Sequence, residues 1–363
     1  MPATKFIELA EAHDVVAGVF SNLGCSAIEA NRIAVRLAGA NLRGHDSHGI
    51  IRVPRYALYL KSNFLQPDQT VEIISENDVI AVVDGRFGFG QTIGEQAVDI
   101  GIAKAQKNGV SIIALRNSGH LGRIGDWAER AADANLISIN VANVSGSQLV
   151  APFGGKDRRF STSPFCIGVP LPGDDPIILD FATSSVAEGK ALVALKSGET
   201  LPDGTFVDGN GELSGDPLTL YGPQRENVLA NANSGSGALR AFGEHKGSGL
   251  NFMIELLAGA LTESGAPNKT IDPKNRKVWN GMLSIYLSAD YFRSADDFAR
   301  DVRSFVEFVK SSDPVDGGED VLTPGEKERR VMAERLKTGL PIEASIWSEI
   351  TQLLAATAQY RGA

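Results

Sequence analysis

The apolar residues of this chain change their period near residue 78, and that change limits the architecture more than any other feature. Between Phe6 and Leu23 they recur at helical spacing, and the run stops at Gly24, a residue suited to the positive φ of a helix C-terminus. Ser26, with Glu29 three residues on, forms a capping-box pattern that opens a second helix through Ile33, Val35 and Leu37, which runs out at Gly44. Beyond residue 78 short β-rich runs take over. Val79–Val83, Val110–Leu115 and Leu136–Val141 read as strands, and Gln91–Lys107 and Ile124–Ala134 as helices between them. Strands alternating with helices predict an α/β layer domain.

Two more strand candidates, FCIGVPL and IILDFA, fall between residues 160 and 182. Residues 197–247 are rich in Gly, Asn, Ser, Asp and Pro and read as long loops, whereas Leu250–Leu261 is apolar nearly all round, as in a buried helix. A last β-like run, MLSIYLS, spans 282–288, and helical stretches at 325–338 and 343–358 are divided by Gly339 and Pro341. A length of 363 residues with 43% hydrophobic content suffices for one large domain or two to three modest ones.

Charge and cysteine usage narrow the function. A net charge of −9 argues against a nucleic-acid partner, which requires a positive field, but leaves room for a local basic pocket. Cys25 and Cys166 are too few for a disulfide framework or a thiolate zinc site, which fits a reducing compartment. Glu8, Glu11, His13 and Asp14 interrupt the apolar positions at the N-terminus, unlike a signal-peptide core, and no apolar run approaches the ~18 residues of a membrane span. The expectation is a cytoplasmic protein without a membrane partner.

Gly88, Gly90 and Gly94 follow a strand and lead into a helix, superficially a dinucleotide fingerprint. The spacing is one residue too long, and the next strand ends in Arg116 and Asn117 where an acidic residue should meet the ribose. A turn serving chain geometry is the better reading.

Chemistry concentrates around the histidines. If a helix starts near Ser47, His48 and Arg52 are i and i+4 and share a face. A guanidinium fork can hold the carboxylate of a 2-oxo acid while the imidazole exchanges a proton at the adjacent oxygen. The same spacing also fits a capping histidine beside a surface ion-pairing arginine. A metal set of His45, Asp46, His48 and His120 is a further alternative, though no zinc-helix motif supports it. His120 lies in a loop between strand and helix, where Gly122, Arg123 and Ile124 open a helix whose free amides and nearby cation favour an anion. Lys246, at the start of the apolar helix, is a plausible phosphate seat or a merely solvated lysine.

Six ordered motifs carry a resemblance across essentially the whole chain: RGHDSHGIIRVPRY at 43–56, GHLGRIGDWAE at 119–129, VAPFGG at 150–155, LDFATS at 179–184, EHKG at 244–247 and TPGE at 323–326. Together they resemble the malate/L-lactate dehydrogenase family. The resemblance implies a mixed α/β fold: a central mixed sheet of non-Rossmann topology that binds NAD or NADP, and a helical domain formed by both chain ends. The corresponding division is 1–75, 76–295 and 296–363, the last packing with the first. It also implies a homodimer acting on a small 2-oxo or 2-hydroxy acid, with His48 as proton donor, Ser47 beside it, Arg52 on the substrate carboxylate and His120 as a second histidine at the substrate.

For the cofactor, besides His48, the resemblance points to Gly122, Arg123, Ile124, Asp180, Phe181, Ala182, Thr183, Ser184, His245, Lys246, Asn280, Pro324, Gly325, Glu326 and Lys327, and to no metal. Asp180 is left between orienting a histidine and contacting ribose. Two departures stand out. Where the family often reads GTNP this chain has Ser161, Thr162, Ser163 and Pro164, which puts the asparagine's hydrogen bond in doubt, and the loop NVSGSQLVAP is long, so no contact is carried over to Ser145. A cyclic-imine (piperideine-2-carboxylate type) reductase, a metal-dependent hydrolase and a non-catalytic nucleotide sensor are the competing classes.

Overall fold

In the computed structural model, which describes residues 4–224, 230–268, 278–315, 318 and 320–358, the chain opens with strand β1 (Thr4–Ile7). Helices α1 (Leu9–Asn22) and α2 (Ala27–Leu42) follow, then two 3₁₀ turns, Asp46–His48 and Ile50–Arg52, and α3 (Val53–Lys61). The middle of the chain runs β2 (Glu72–Glu76), β3 (Ile80–Asp84), α4 (Gly90–Asn108), β4 (Val110–Ser118), α5 (Gly125–Asp133), β5 (Leu136–Ser145), β6 (Pro164–Val169) and β7 (Ile177–Ala182). Next come α6 (Glu188–Ser197), β8 (Phe206–Val207), β9 (Leu213–Ser214), α7 (Leu218–Tyr221), β10 (Ala238–Leu239) and α8 (His245–Ile254), which runs on into a π-helical segment, Glu255–Ala260. Strand β11 (Trp279–Ser288), α9 (Ala295–Lys310), α10 (Glu326–Thr338), β12 (Leu340–Glu343) and α11 (Ala344–Thr357) complete it.

Seven strands form the central sheet in the order β2-β3-β4-β11-β5-β6-β7. Only β3 and β4 are parallel, so the sheet is mixed and lacks the run of parallel strands on which a Rossmann fold is built. Helices α4 and α5 bury their apolar stripes on one face, where Trp127, Ile93, Leu115 and Tyr286 are fully enclosed. The fingerprint-like glycines belong to this packing. A Cβ on Gly94 would stand 2.5 Å from the Trp127 ring and one on Gly90 2.2 Å from the His120 carbonyl oxygen, so both serve close approach. The π-helical segment covers β5 and β11 on the other face.

The two ends of the chain close on each other. β1 pairs antiparallel with β12, and α1, α2, α3 and α11 share a core of Phe20, Ile33, Leu37, Trp347 and Ile350. This is the helical unit from both ends that the resemblance implies. The Ser26 cap forms, accepting from the Glu29 amide at 3.2 Å. The box does not close: Ser26 N donates to Asp68, and the Glu29 carboxylate accepts from Asp68 N at 2.6 Å instead.

Several expectations are corrected. No helix starts at Ser47: the segment is two 3₁₀ turns parted by an extended Gly49 (φ −87, ψ −155), so His48 and Arg52 are not i, i+4 on one α-helical face. The Asn41 side chain causes the break. It accepts from Ile50 N at 2.8 Å and leaves no room for a side chain at Gly49. Within 197–247, of which 225–229 lie outside the described residues, a three-stranded sheet β10-β8-β9 and α7 enclose a small core of Phe206, Leu220, Tyr221 and Leu239. The helix expected at 250–261 is not buried all round, because Phe252, Met253, Leu256 and Leu261 stand exposed. Helix α9 is an addition to the expected helices, and Arg303 ties it to the β6–β7 turn through Asp174. Among the described residues no helix is long and apolar enough to cross a membrane.

Candidate active site

A cavity of about 1020 Å³ opens between the central sheet, the 3₁₀ turns, α6 and the chain-end strands. The sequence places its chemistry there through three loops. The turn after α2 delivers Ser47 and His48, the loop from β4 to α5 delivers His120 and residues 122–124, and α3 starts just beyond Arg52.

His48 and His120 meet directly. His48 Nδ1 lies 3.2 Å from His120 Nε2, and the Tyr56 hydroxyl is 2.5 Å from His120 Nδ1. Gln91 donates through Nε2 to the Tyr56 oxygen at 3.2 Å and to the His120 carbonyl at 3.3 Å. Gln91 is donor only at this nitrogen, so the Tyr56 hydroxyl is free to donate to His120 Nδ1. His120 then carries its proton on Nε2 and donates to His48 Nδ1, which leaves His48 as the Nε2–H tautomer. Burial, followed by the charges of Arg52, His45 and Arg123, drives the His48 pKa down to about 3. Burial and then Arg52 and His48 likewise push His120 well below its ordinary value. Both rings are therefore neutral at pH 7, as the tautomer chain requires. Burial raises the Tyr56 phenol to about 12, against the opposing charge of Arg52.

Arg52 reaches the same space without a helical face. Its Nε donates to the Ser47 carbonyl at 2.6 Å, and Glu188 at the start of α6 lies 4.0 Å from Nη2. The Tyr221 hydroxyl, 3.2 Å from Glu188 Oε1, steadies that carboxylate. Gly189 packs on the Ser47 Cβ and draws α6 over the turn. A planar guanidinium anchored at one edge and facing a cavity suits a bidentate carboxylate.

Of the expected cofactor residues, Gly122, Arg123, Ile124 and Asn280 line this cavity, as do Asp180, Phe181, Ala182, Ser184 and Lys327. Not all are free to act as expected. The Arg123 guanidinium bonds Asp126 at 2.9 Å and Glu129 at 2.8 Å; burial opposes its charge, but these acids and Asp180 outweigh it and raise its pKa. Asp180, its pKa raised by burial, accepts from Gly125 N at 2.7 Å, so the first turn of α5 already faces a carboxylate. Both ends of the Asn280 amide are engaged, accepting from Leu121 N at 2.8 Å and donating to the Asn143 carbonyl at 2.7 Å, which pins the loop that bears His120.

The remaining residues lie off the cavity. Thr183 is buried and donates to the Ser163 carbonyl at 2.6 Å. His245 and Lys246 are exposed at the start of α8, with the His245 ring against Phe153. Pro324 is exposed, Gly325 caps α10 at φ 91, and Glu326 accepts from Thr323 N at 3.0 Å. Ser163, at the position where the family often has asparagine, donates to the buried Glu255 at 2.6 Å, and Ser145 donates inward to the Ser264 and Gly265 carbonyls. The metal set does not converge: His45 turns to Glu328 at 3.4 Å and Asp46 to Arg335 at 2.7 Å. Sequence reading passed over Tyr56, although it closes the first motif four residues beyond Arg52, and it passed over Gln91 and Glu188.

Comparison with known proteins places this geometry. A family profile described as malate/L-lactate dehydrogenase matches residues 7–351. Hydroxycarboxylate dehydrogenase B of Escherichia coli O157:H7 is 38% identical over 93% of this chain and 90% of its own length. L-lactate dehydrogenase of Cupriavidus necator is 31% identical, covering 96% of each chain. The structure of sulfolactate dehydrogenase from Methanocaldococcus jannaschii superposes with a TM-score of 0.85 at 30% identity over 98% of each chain. A match of this extent, on a mixed sheet closed by helices from both ends, leaves one assignment: the chain belongs to the malate/L-lactate dehydrogenase family.

Proposed function

We propose that this enzyme transfers a hydride between a nicotinamide dinucleotide and a small 2-oxo or 2-hydroxy acid, with Arg52 holding the acid's carboxylate and His48 handling the proton at the adjacent oxygen. The observation that carries the reading is the ordered chain Gln91–Tyr56–His120–His48, which ends on a donor beside Arg52 in one cavity.

The cavity fits the cofactor as well as the acid. About 1020 Å³ exceeds what a small acid fills, and the buried Ser161 hydroxyl on its wall has no partner among the described residues. Gly122, Ile124, Phe181, Ala182, Ser184 and Lys327, which line the cavity, would hold the dinucleotide, while Arg123, Asp180 and Asn280 fix the loop and helix start around it. When bound, it supplies the hydride. His48 donates the proton from Nε2 as the oxygen develops negative charge, while its Nδ1 takes the proton of His120 Nε2 and His120 Nδ1 takes that of the Tyr56 hydroxyl. The charge left behind rests on the Tyr56 oxygen, which accepts from Gln91, until solvent returns a proton. A substrate carboxylate on Arg52 offsets a positive charge that depresses both imidazoles, so acid binding raises the basicity of both rings. In the oxidative direction the same atoms take the proton back.

A homodimer accompanies this reading. Phe252, Met253 and Leu256 beside the sheet, and Phe305 and Phe308 on α9, are exposed apolar side chains of the kind subunit contacts cover. A screen of 2-oxo acids followed by reduced-nicotinamide absorbance tests the function. Turnover of at least one such acid, with a raised KM in Arg52→Ala, is expected; absence of turnover with every acid and either cofactor would overturn it.

A further inference from the structure

Helix α10 contains no buried residue, yet one of its faces grips the segment that carries His48. Glu328, Val331 and Arg335 are spaced to share that face. Glu328 Oε1 lies 3.4 Å from His45 Nε2, and Val331 packs so closely on Gly44 that a Cβ there would stand 3.2 Å from it. Arg335 meets Asp46 with both arms of its fork, Nη1 to Oδ1 at 2.7 Å and Nη2 to Oδ2 at 3.0 Å, and Nη1 also donates to the Asn41 carbonyl. Asn41 completes the hold, donating to Asp46 Oδ1 at 2.6 Å and accepting from Ile50 N at 2.8 Å.

The 3₁₀ turn bearing Ser47 and His48 is therefore fixed at both ends, at Asp46 and at Ile50, and half of that fixation comes from the far end of the chain. We propose that Arg335 is a positioning residue: through Asp46 it sets the turn, and the turn sets where His48 Nε2 points in the cavity. The inference rests on the reading of His48 as proton donor. A pair whose carboxylate is nearly half exposed contributes little to stability, so its main effect falls on geometry. A bidentate fork fixes direction as well as distance, which a lysine in its place would not.

The test is steady-state kinetics and thermal unfolding of the full chain as Arg335→Ala, Arg335→Lys, Asp46→Ala, the double variant Arg335→Ala/Asp46→Ala, and His48→Ala. Arg335→Ala is expected to lower kcat by about 10²-fold with the cofactor KM and the Tm little changed, because a small misplacement of a reacting group is costly to rate. Arg335→Lys should recover part of that loss, and the double variant should be no slower than the slower single one, since both remove the same contact. A parental kcat in Arg335→Ala, or losses that add in the double variant and track a falling Tm, would overturn the positioning role. If His48→Ala is inactive while Arg335→Ala is parental, only the positioning role fails; a near-parental His48→Ala overturns the donor reading and the inference built on it.

Discussion

His48 Nδ1 and His120 Nε2 stand 3.2 Å apart with their rings within 6° of parallel, so the protonation of one imidazole decides the tautomer of the other. That relationship depends on Tyr56, which orients His120 from its opposite nitrogen. Tyr56→Phe keeps the ring and removes the hydroxyl. It should lower kcat on the order of 10²-fold, the lower end of what a positioned proton donor contributes, with substrate KM less affected. Steady-state kinetics on the purified variant reads this directly; an unchanged kcat would mean that the tautomer chain plays no part.

The charge of Arg52 is a named cause of the depressed pKa of both histidines. Arg52→Met should therefore raise both, although burial, the larger cause, keeps them below the ordinary value. Titration of the imidazole resonances by NMR checks the direction. A downward or absent movement would contradict the electrostatic assignment.

Acid should destabilise the fold through the same pair. His48 is held at about 3 in the folded protein against 6.5 for the free side chain, so between those values the unfolded chain binds the extra proton. Stability from this source is fully present above about pH 6.5 and is lost as pH falls toward about 3; His120 shifts in the same direction and adds to it. Thermal unfolding across that window should show a flatter pH slope in His48→Gln/His120→Gln than in the parent protein.

Gly90 links a packing constraint to the site. Because its Cα faces the His120 carbonyl at close range, Gly90→Ala should displace the His120 loop, with an overpacking cost of about 1–3 kcal/mol and a fall in kcat. Denaturant unfolding together with kinetics measures both effects; parental values for both would show that the loop yields freely.

The parts of this fold that were legible in the sequence are those governed by neighbours along the chain. The Ser26 cap, the strand–helix alternation from residue 78 and the strand at MLSIYLS all follow local rules. Helix α9 carried a comparable signal, since Ser294 caps it by accepting from Asp297 N, and it was legible in principle. The turn at 46–52 was not, because the Asn41 side chain, reaching back from the end of α2 to Ile50 N, holds 3₁₀ geometry there through a contact that no periodicity marks. Tyr56 was hidden for the same reason: its partner His120 lies 64 residues away, and nothing in its own motif announces the contact. Arg123 reads as a free cation in sequence, but the acids that engage it sit on the next turns of α5, where only the fold shows that they turn back toward it.

Single-turnover hydride transfer in His48→Ala, with cofactor affinity measured on the same sample, goes most directly to the donor assignment. Transfer to a 2-oxo acid slowed by about 10²–10⁴-fold with cofactor binding intact is expected if the His48 imidazole delivers the proton. Transfer at the parental rate would mean that the proton comes from another group.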